Sequence, residues 1–276
     1  MSIANKVVSR IYEALEKQER RADQYLGRLG ASSIGDPCIR KVWLSWRGFY
    51  IPKFSGRTLR IFKTGHLQET RIIDDLRLSG LSVWDADADG YQFEFTDPLS
   101  GHFIAKVDGV VKALPEDPDT PHMMEVKTHS DKSFKDLTKH GVLKSKPMHW
   151  YQMQSGMLYG GFNRGLYVAL NKNDEQFYVE TVEPCEETQM RVQKRVANLV
   201  RTTIAPSRIA DSSDSFACKF CDAKEVCWNE APAERNCRTC TNCSPGAEGT
   251  WVCNMLGETR SFDGQRAGCE HHVGFL

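Results

Sequence analysis

Asp108, Glu125 and Lys127 are the residues of this chain whose types and spacing could most readily do chemistry. Residues 102–111 and 123–128 each read as a short strand. Residues 114–121 lie between them, a run dense in proline and acids that breaks regular structure. The spacing predicts a hairpin with a long loop. Side chains two apart on a strand share a face, so Glu125 and Lys127 point the same way. Asp108, on the preceding strand, then meets an acid and a lysine on the next. Two carboxylates can hold a hard divalent cation. A lysine can orient an attacking water and offset charge building on a phosphoryl group, while the cation lowers the water's pKa and polarises the phosphate. The same residues also fit a surface hairpin whose charges are solvated, Glu125 and Lys127 forming a weak exposed pair.

Cysteines form the second set. The chain has ten. In a reducing compartment clustered cysteines bind metal more often than they pair as disulfides. Cys218, Cys221 and Cys227 stand as Cys-x2-Cys-x5-Cys, three thiolates that lack a fourth ligand for a tetrahedral site or a cubane cluster. After Pro232 the composition changes. Cys237, Cys240, Cys253 and Cys269 make the best ligand set of a zinc-binding appendage, with Cys243 and His272 as rivals. So short a piece cannot bury enough surface alone, so metal is expected to stabilise it; otherwise it is a disordered tail. Cys185 reads as structural. Cys38, alone in its stretch, reads by itself as a buried core cysteine.

The elements that must position these residues follow from periodicity. Residues 4–26 form an amphipathic helix with Val7, Val8, Ile11 and Leu15 on one face. Residues 59–78 form a second helix, and 82–84 and 90–95 have strand character. Residues 133–139 read as a short helix, 147–159 as a longer one that starts at a proline. Residues 165–170 are an apolar strand of the buried type, 177–182 an alternating one, and 186–204 a helix. That order suits a mixed sheet flanked by helices.

The totals bound the rest. The 276 residues allow one large domain or a domain plus a small appendage, and 40% hydrophobic content is enough for a sizeable core. Lys plus Arg and Asp plus Glu are 36 each, so net charge is zero and neither supports nor excludes a nucleic-acid partner. No apolar run is long enough to span a membrane, and residues 1–18 lack a signal-peptide core. The expected compartment is cytoplasmic.

Val107-Asp108-Gly109 followed by Glu125-Val126-Lys127 resembles the core of the PD-(D/E)xK nuclease superfamily. Over residues 32–227 the chain is similar to its RecB-like branch with a cysteine-bound iron–sulfur cluster, which includes CRISPR-adaptation exonucleases. Similar cysteine tails occur on phage-type nucleases. The resemblance implies an α/β fold with a mixed central sheet flanked by helices, a restriction-endonuclease-like core. It implies a nuclease domain over 1–231 and, with the reading of the tail, a metal-binding appendage over 232–276. Asp108, Glu125, the Val126 carbonyl and Glu69 would hold Mg²⁺ or Mn²⁺. Glu69 occupies the position where the branch carries a histidine or an acid; His66 lies a turn too early. Lys127 would be catalytic, with Gln152 as the glutamine of the following helix and Gln154 the weaker candidate. Cys38 would join Cys218, Cys221 and Cys227 around a 4Fe-4S cluster. The expected activity is metal-dependent DNA exonuclease action in end processing, recombination or replication. The expected partners are DNA ends or single strands, and a recombination or replication protein. The rival readings are a DNA-binding or assembly module with a vestigial site, and a redox protein. The second is weaker because no nucleotide-binding glycine fingerprint is present.

Overall fold

The computed structural model describes residues 3–22 and 26–276; residues 23–25, assigned above to the first helix, lie outside the described residues. In chain order the elements are α1 (Ile3–Ala22), β1 (Leu29–Gly30), α2 (Ala31–Ile34), α3 (Ile39–Trp46), α4 (Gly56–Leu78), β2 (Ser82–Trp84), β3 (Glu94–Thr96), β4 (Phe103–Lys106), β5 (Gly109–Lys112) and β6 (His122–His129). They continue with α5 (Asp131–Ser145), α6 (Pro147–Gly160), β7 (Gly165–Asn171), β8 (Phe177–Val182), α7 (Glu186–Arg201), α8 (Phe216–Lys219) and α9 (Lys224–Cys227). The last are β9 (Cys243–Pro245), β10 (Trp251–Cys253), β11 (Glu258–Thr259) and α10 (Phe262–Ala267). Two compact units emerge. One comprises residues 1–28, 37–64 and 201–276, the other residues 29–36 and 65–200.

The second unit carries the central sheet, five strands in the order β2-β5-β6-β7-β8. β6 and β7 run parallel and every other pair is antiparallel, so the sheet is mixed and the fold is α/β. A parallel pair needs a crossover, which α5 and α6 supply. β7 is buried at every residue, which is why it reads as an unbroken apolar run. The alternation of β6 sorts its side chains onto two cores. Met124 and Val126 join Leu166 and Val168 against Ile72 and Ile73 of α4. Met123 joins Tyr167 and Ala169 against Leu137 of α5 and Met153 and Met157 of α6. Glu125 and Lys127, in phase with Met123, belong to this α6 side.

Three sequence expectations change. The strand expected over 90–95 is confined to β3, residues 90–93 being irregular. Residues 102–111 form two strands, not one. β4 belongs to a small sheet, parallel to β1 and antiparallel to β3, while β5 belongs to the central sheet. Val107 and Asp108 lie where the chain passes between sheets. Gly109 permits this passage: a Cβ there would sit 2.7 Å from the Trp84 carbonyl oxygen. The helix expected over 133–139 runs on to Ser145, with a break at Gly141 (φ 71°, ψ 173°). The Glu180 carboxylate caps the restart, accepting from the Val142 N–H at 2.9 Å and from the Tyr178 hydroxyl at 2.5 Å.

In the first unit, residues 232–276 share a core with α3. Arg47, 1% exposed, donates to the carbonyls of Arg238 (2.6 Å) and Cys243 (2.9 Å). Its guanidinium lies 4.4–5.2 Å from the ring centres of Phe275, Trp43 and Trp251. Arg238 repeats the device, stacked on Trp251 and bonded to Gln265. Strands β9, β10 and β11 form a three-stranded antiparallel sheet.

Candidate active site

Asp108 follows β4 and precedes β5, and its Oδ2 accepts the Val126 N–H at 2.8 Å. That bond ties the β4–β5 junction to the middle of β6. Glu125 is fully buried, its Oε1 paired with the Lys127 ammonium. Lys127 also lies 3.8 Å from Asp108 Oδ2 and donates to the Val126 carbonyl at 3.2 Å. The three residues singled out by type and spacing therefore meet on one patch of the sheet.

The charges there do not balance, since one lysine faces two carboxylates. Burial pushes the Glu125 carboxyl up to about 8, Lys127 opposing and Asp108 adding to the rise. Burial alone would lower the Lys127 ammonium, but Glu125 and then Asp108 outweigh it and hold it above the usual lysine value. Glu125 Oε2 is buried with no hydrogen-bond partner. An orphaned carboxylate oxygen costs free energy unless something cationic reaches it. The donor set thus fits a hard divalent cation, the kind usually held by one or two carboxylates and completed by water and substrate phosphate. Among the described residues no three His, Cys, Asp or Glu side chains are gathered as a ready metal cage.

Glu69 stands on α4, about a third exposed, and its carboxyl is raised by burial and then by Asp108. It lies within electrostatic range of the cluster without touching it. His66 is 82% exposed and 3.9 Å from Glu69. Gln152 is half-buried on α6. Gln154, fully buried, holds the framework together. It bonds the Glu183 carbonyl and the Cys185 N–H, fastening α6 to the β8–α7 turn.

Sequence reasoning missed the neighbours of this patch. Gln92 Nε2 donates to the Val107 carbonyl at 3.2 Å and lies 3.5 Å from Asp108 Oδ1. Tyr167, directly opposite Glu125 in the β6–β7 register, holds two histidines by its hydroxyl: His129 Nε2 at 3.0 Å and His149 Nδ1 at 2.8 Å. Only the in-phase position of His129 on β6, two beyond Lys127, could have hinted at this group.

The thiols fall into two groups, both in the first unit. Cys38, Cys218, Cys221 and Cys227 all line one small cavity, beside Lys41 and Arg208. Arg40 Nε lies 3.2 Å from Cys227 Sγ, and burial raises the Cys221 thiol. The four thiols share the lining of this hollow without being gathered as a ready metal cage. In the tail Cys237, Cys240, Cys243 and Cys253 are buried and Cys269 is half-buried. Cys243 faces Cys253 in the β9–β10 register. Cys237 feels both Cys253 and Cys269, and Cys243 feels Cys237, Cys253 and Cys240. His272 spends its Nε2 on the Thr239 hydroxyl at 3.0 Å. Cys185, in the second unit, accepts from Thr188.

No protein-family model and no curated protein matches the chain. Three of the solved structures that resemble it are these. The crystal structure of the alkaline exonuclease LHK-Exo from Laribacter hongkongensis is 20% identical, over 63% of this chain and 88% of that one, with a TM-score of 0.43. LHK-Exo in complex with dAMP is 17% identical over 69% and 92%, TM-score 0.44. SSO0001 is 10% identical over 82% and 98%, TM-score 0.46. No helix among the described residues is long and apolar enough to cross a membrane.

Proposed function

We propose that this chain is a metal-dependent deoxyribonuclease that hydrolyses phosphodiester bonds, acting as an exonuclease on DNA ends or single strands. The observation that carries the reading is the buried Glu125 carboxylate, one oxygen on Lys127 and the other without a partner, next to Asp108. Asp108 and Glu125 would hold Mg²⁺ or Mn²⁺, with the Val126 carbonyl and Glu69 as supporting donors. When bound, the cation supplies a water of lowered pKa and polarises the phosphate. Lys127, kept charged by its two carboxylates, orients the attacking water and offsets charge on the phosphoryl oxygens. Gln152 positions Lys127 or the DNA strand. The biological setting that suits such an enzyme is end processing in recombination or replication, with a protein partner from that machinery.

In the first unit, Cys38, Cys218, Cys221 and Cys227 would ligate a 4Fe-4S cluster. Cys237, Cys240, Cys253 and Cys269 would ligate zinc, with Cys243 in competition. Both metals would be structural.

The test is cleavage of an end-labelled oligonucleotide in Mg²⁺, Mn²⁺ and EDTA. Asp108→Asn is expected to reduce cleavage at least about 100-fold, the range lost when a charge-stabilising group is removed, with unchanged circular dichroism. Equal cleavage by this variant, or equal cleavage in EDTA, would sink the proposal.

A further inference from the structure

Four residues beside the candidate site form an unbroken chain of hydrogen bonds that periodicity and spacing do not reveal. Ser133 Oγ lies 3.1 Å from His129 Nδ1; His129 Nε2 lies 3.0 Å from the Tyr167 hydroxyl; that hydroxyl lies 2.8 Å from His149 Nδ1. The chain starts on α5, crosses β6 and β7 and ends on α6. Tyr167 is fully buried, His129 is 7% exposed and His149 is half-buried. The His149 ring also stacks on that of Tyr167, 5.8 Å between centres. Among the described residues, no hydrogen bond or ion pair engages the far nitrogen of His149, Nε2. His149 and Gln152 are three apart on α6, one above the other on the same face. The strongest charge acting on His149 is that of Lys127. Both imidazoles are neutral: burial and then nearby lysines, Lys127 and Lys146 among them, push His129 down to about 4 and His149 to about 3.

A neutral imidazole carries one N–H, so the chain can be polarised in only two ways. In one, Ser133 donates to His129, His129 to Tyr167 and Tyr167 to His149, which leaves the hydrogen of His149 on Nε2. In the other every bond reverses and Nε2 accepts. Phosphate oxygens only accept, so a bound phosphodiester selects the first polarity. The geometry points to His149 Nε2–H as an uncharged hydrogen-bond donor to the DNA phosphate backbone, set in that tautomer by Tyr167, His129 and Ser133. His149 is then a binding residue, and Tyr167 and His129 are positioning residues. A neutral donor suits this place, because it adds no positive charge to compete with a cation for Asp108 and Glu125.

The inference rests on DNA being the ligand, and its test is separable from cleavage. Binding of a labelled single-stranded oligonucleotide is measured in EDTA by fluorescence anisotropy. Asn can imitate only the Nδ1 position of the imidazole, whereas Gln places an amide N–H near Nε2. His149→Asn is expected to weaken binding about tenfold, the scale of one hydrogen bond to a charged group, and His149→Gln to stay within about threefold of the unaltered chain. Tyr167→Phe, which removes only the bridging oxygen, is expected to fall between them. Long-range ¹H–¹⁵N correlation spectra should show His149 as the Nε2–H tautomer once DNA is added. The idea fails if the Gln and Asn variants bind equally, if Tyr167→Phe binds as the unaltered chain does, or if the bound state carries the Nδ1–H tautomer. A full binding series with no Mg²⁺-dependent cleavage would overturn the nuclease reading alone; Asp108-dependent cleavage with a flat series would overturn this inference alone.

Discussion

At the scale of single residues, one buried oxygen sets the energetics of the candidate site. Glu125→Gln removes a carboxyl whose ionisation burial opposes, while keeping an acceptor for Lys127. In EDTA it is expected to raise the melting temperature by roughly 2–4 °C, the shift that about 1 kcal/mol produces in a domain of this size, and to abolish any further rise on adding Mg²⁺. A lower melting temperature would mean that the carboxylate is already balanced. The two neutral histidines give the pH response. Their folded-state values, about 4 for His129 and about 3 for His149, lie below the unfolded value of 6.5. The stabilisation from keeping them uncharged is complete above pH 6.5 and is lost progressively as the pH falls through about 4 for His129 and about 3 for His149. Thermal melts between pH 7 and pH 4 should therefore fall more steeply for the unaltered chain than for a His129→Asn, His149→Asn double variant. Asp108, Glu125 and Lys127 were legible because strand alternation alone places Glu125 and Lys127 side by side. His129, His149 and Tyr167 were not, because their contacts join residues 18 and 38 apart and each reads singly as core.

At the scale of elements, the passage of the chain between two sheets at Val107–Asp108 decides where the first carboxylate stands. Gly109→Ala pushes a methyl against the Trp84 carbonyl, which is backbone and cannot swing aside. The expected cost is about 1–3 kcal/mol, the range for an overpacked site, read as a lower urea midpoint. A fall in Asp108-dependent cleavage beyond the loss of folded protein should accompany it. An unshifted midpoint would show that β2 and β5 can part there. Helix α6 and strands β7 and β8 were legible within a residue or two because each carries a full period and a punctuating proline or turn. The division of residues 102–111 was hidden. The apolar alternation continues through Asp108, and what separates β4 from β5 is the identity of their partners, β1 and β3 against β2 and β6.

At the scale of the whole molecule, thiols gather from distant parts of the sequence. Anaerobically purified protein is expected to contain about four irons and about one zinc per chain. Cys38→Ala should lose the iron and Cys185→Ala should keep it; iron retained by the first variant would remove Cys38 from the site. Composition marks a change near residue 232, yet residues 232–276 build one unit with residues 37–64. The reason is Arg47 and Arg238, which look like surface charges in the sequence and are buried among tryptophan, phenylalanine and backbone carbonyls. Arg40 and Cys227, 187 positions apart, meet in that same unit. During synthesis on a ribosome, therefore, the first segment of this unit emerges long before its last. The sheet bearing Asp108 and Glu125 can assemble in the interval, while Cys38 stays exposed as a lone thiol. The metal loading proposed for the first unit would then wait until residues 218–227 are made, so iron starvation or an oxidant during expression is expected to impair that unit before it impairs the sheet.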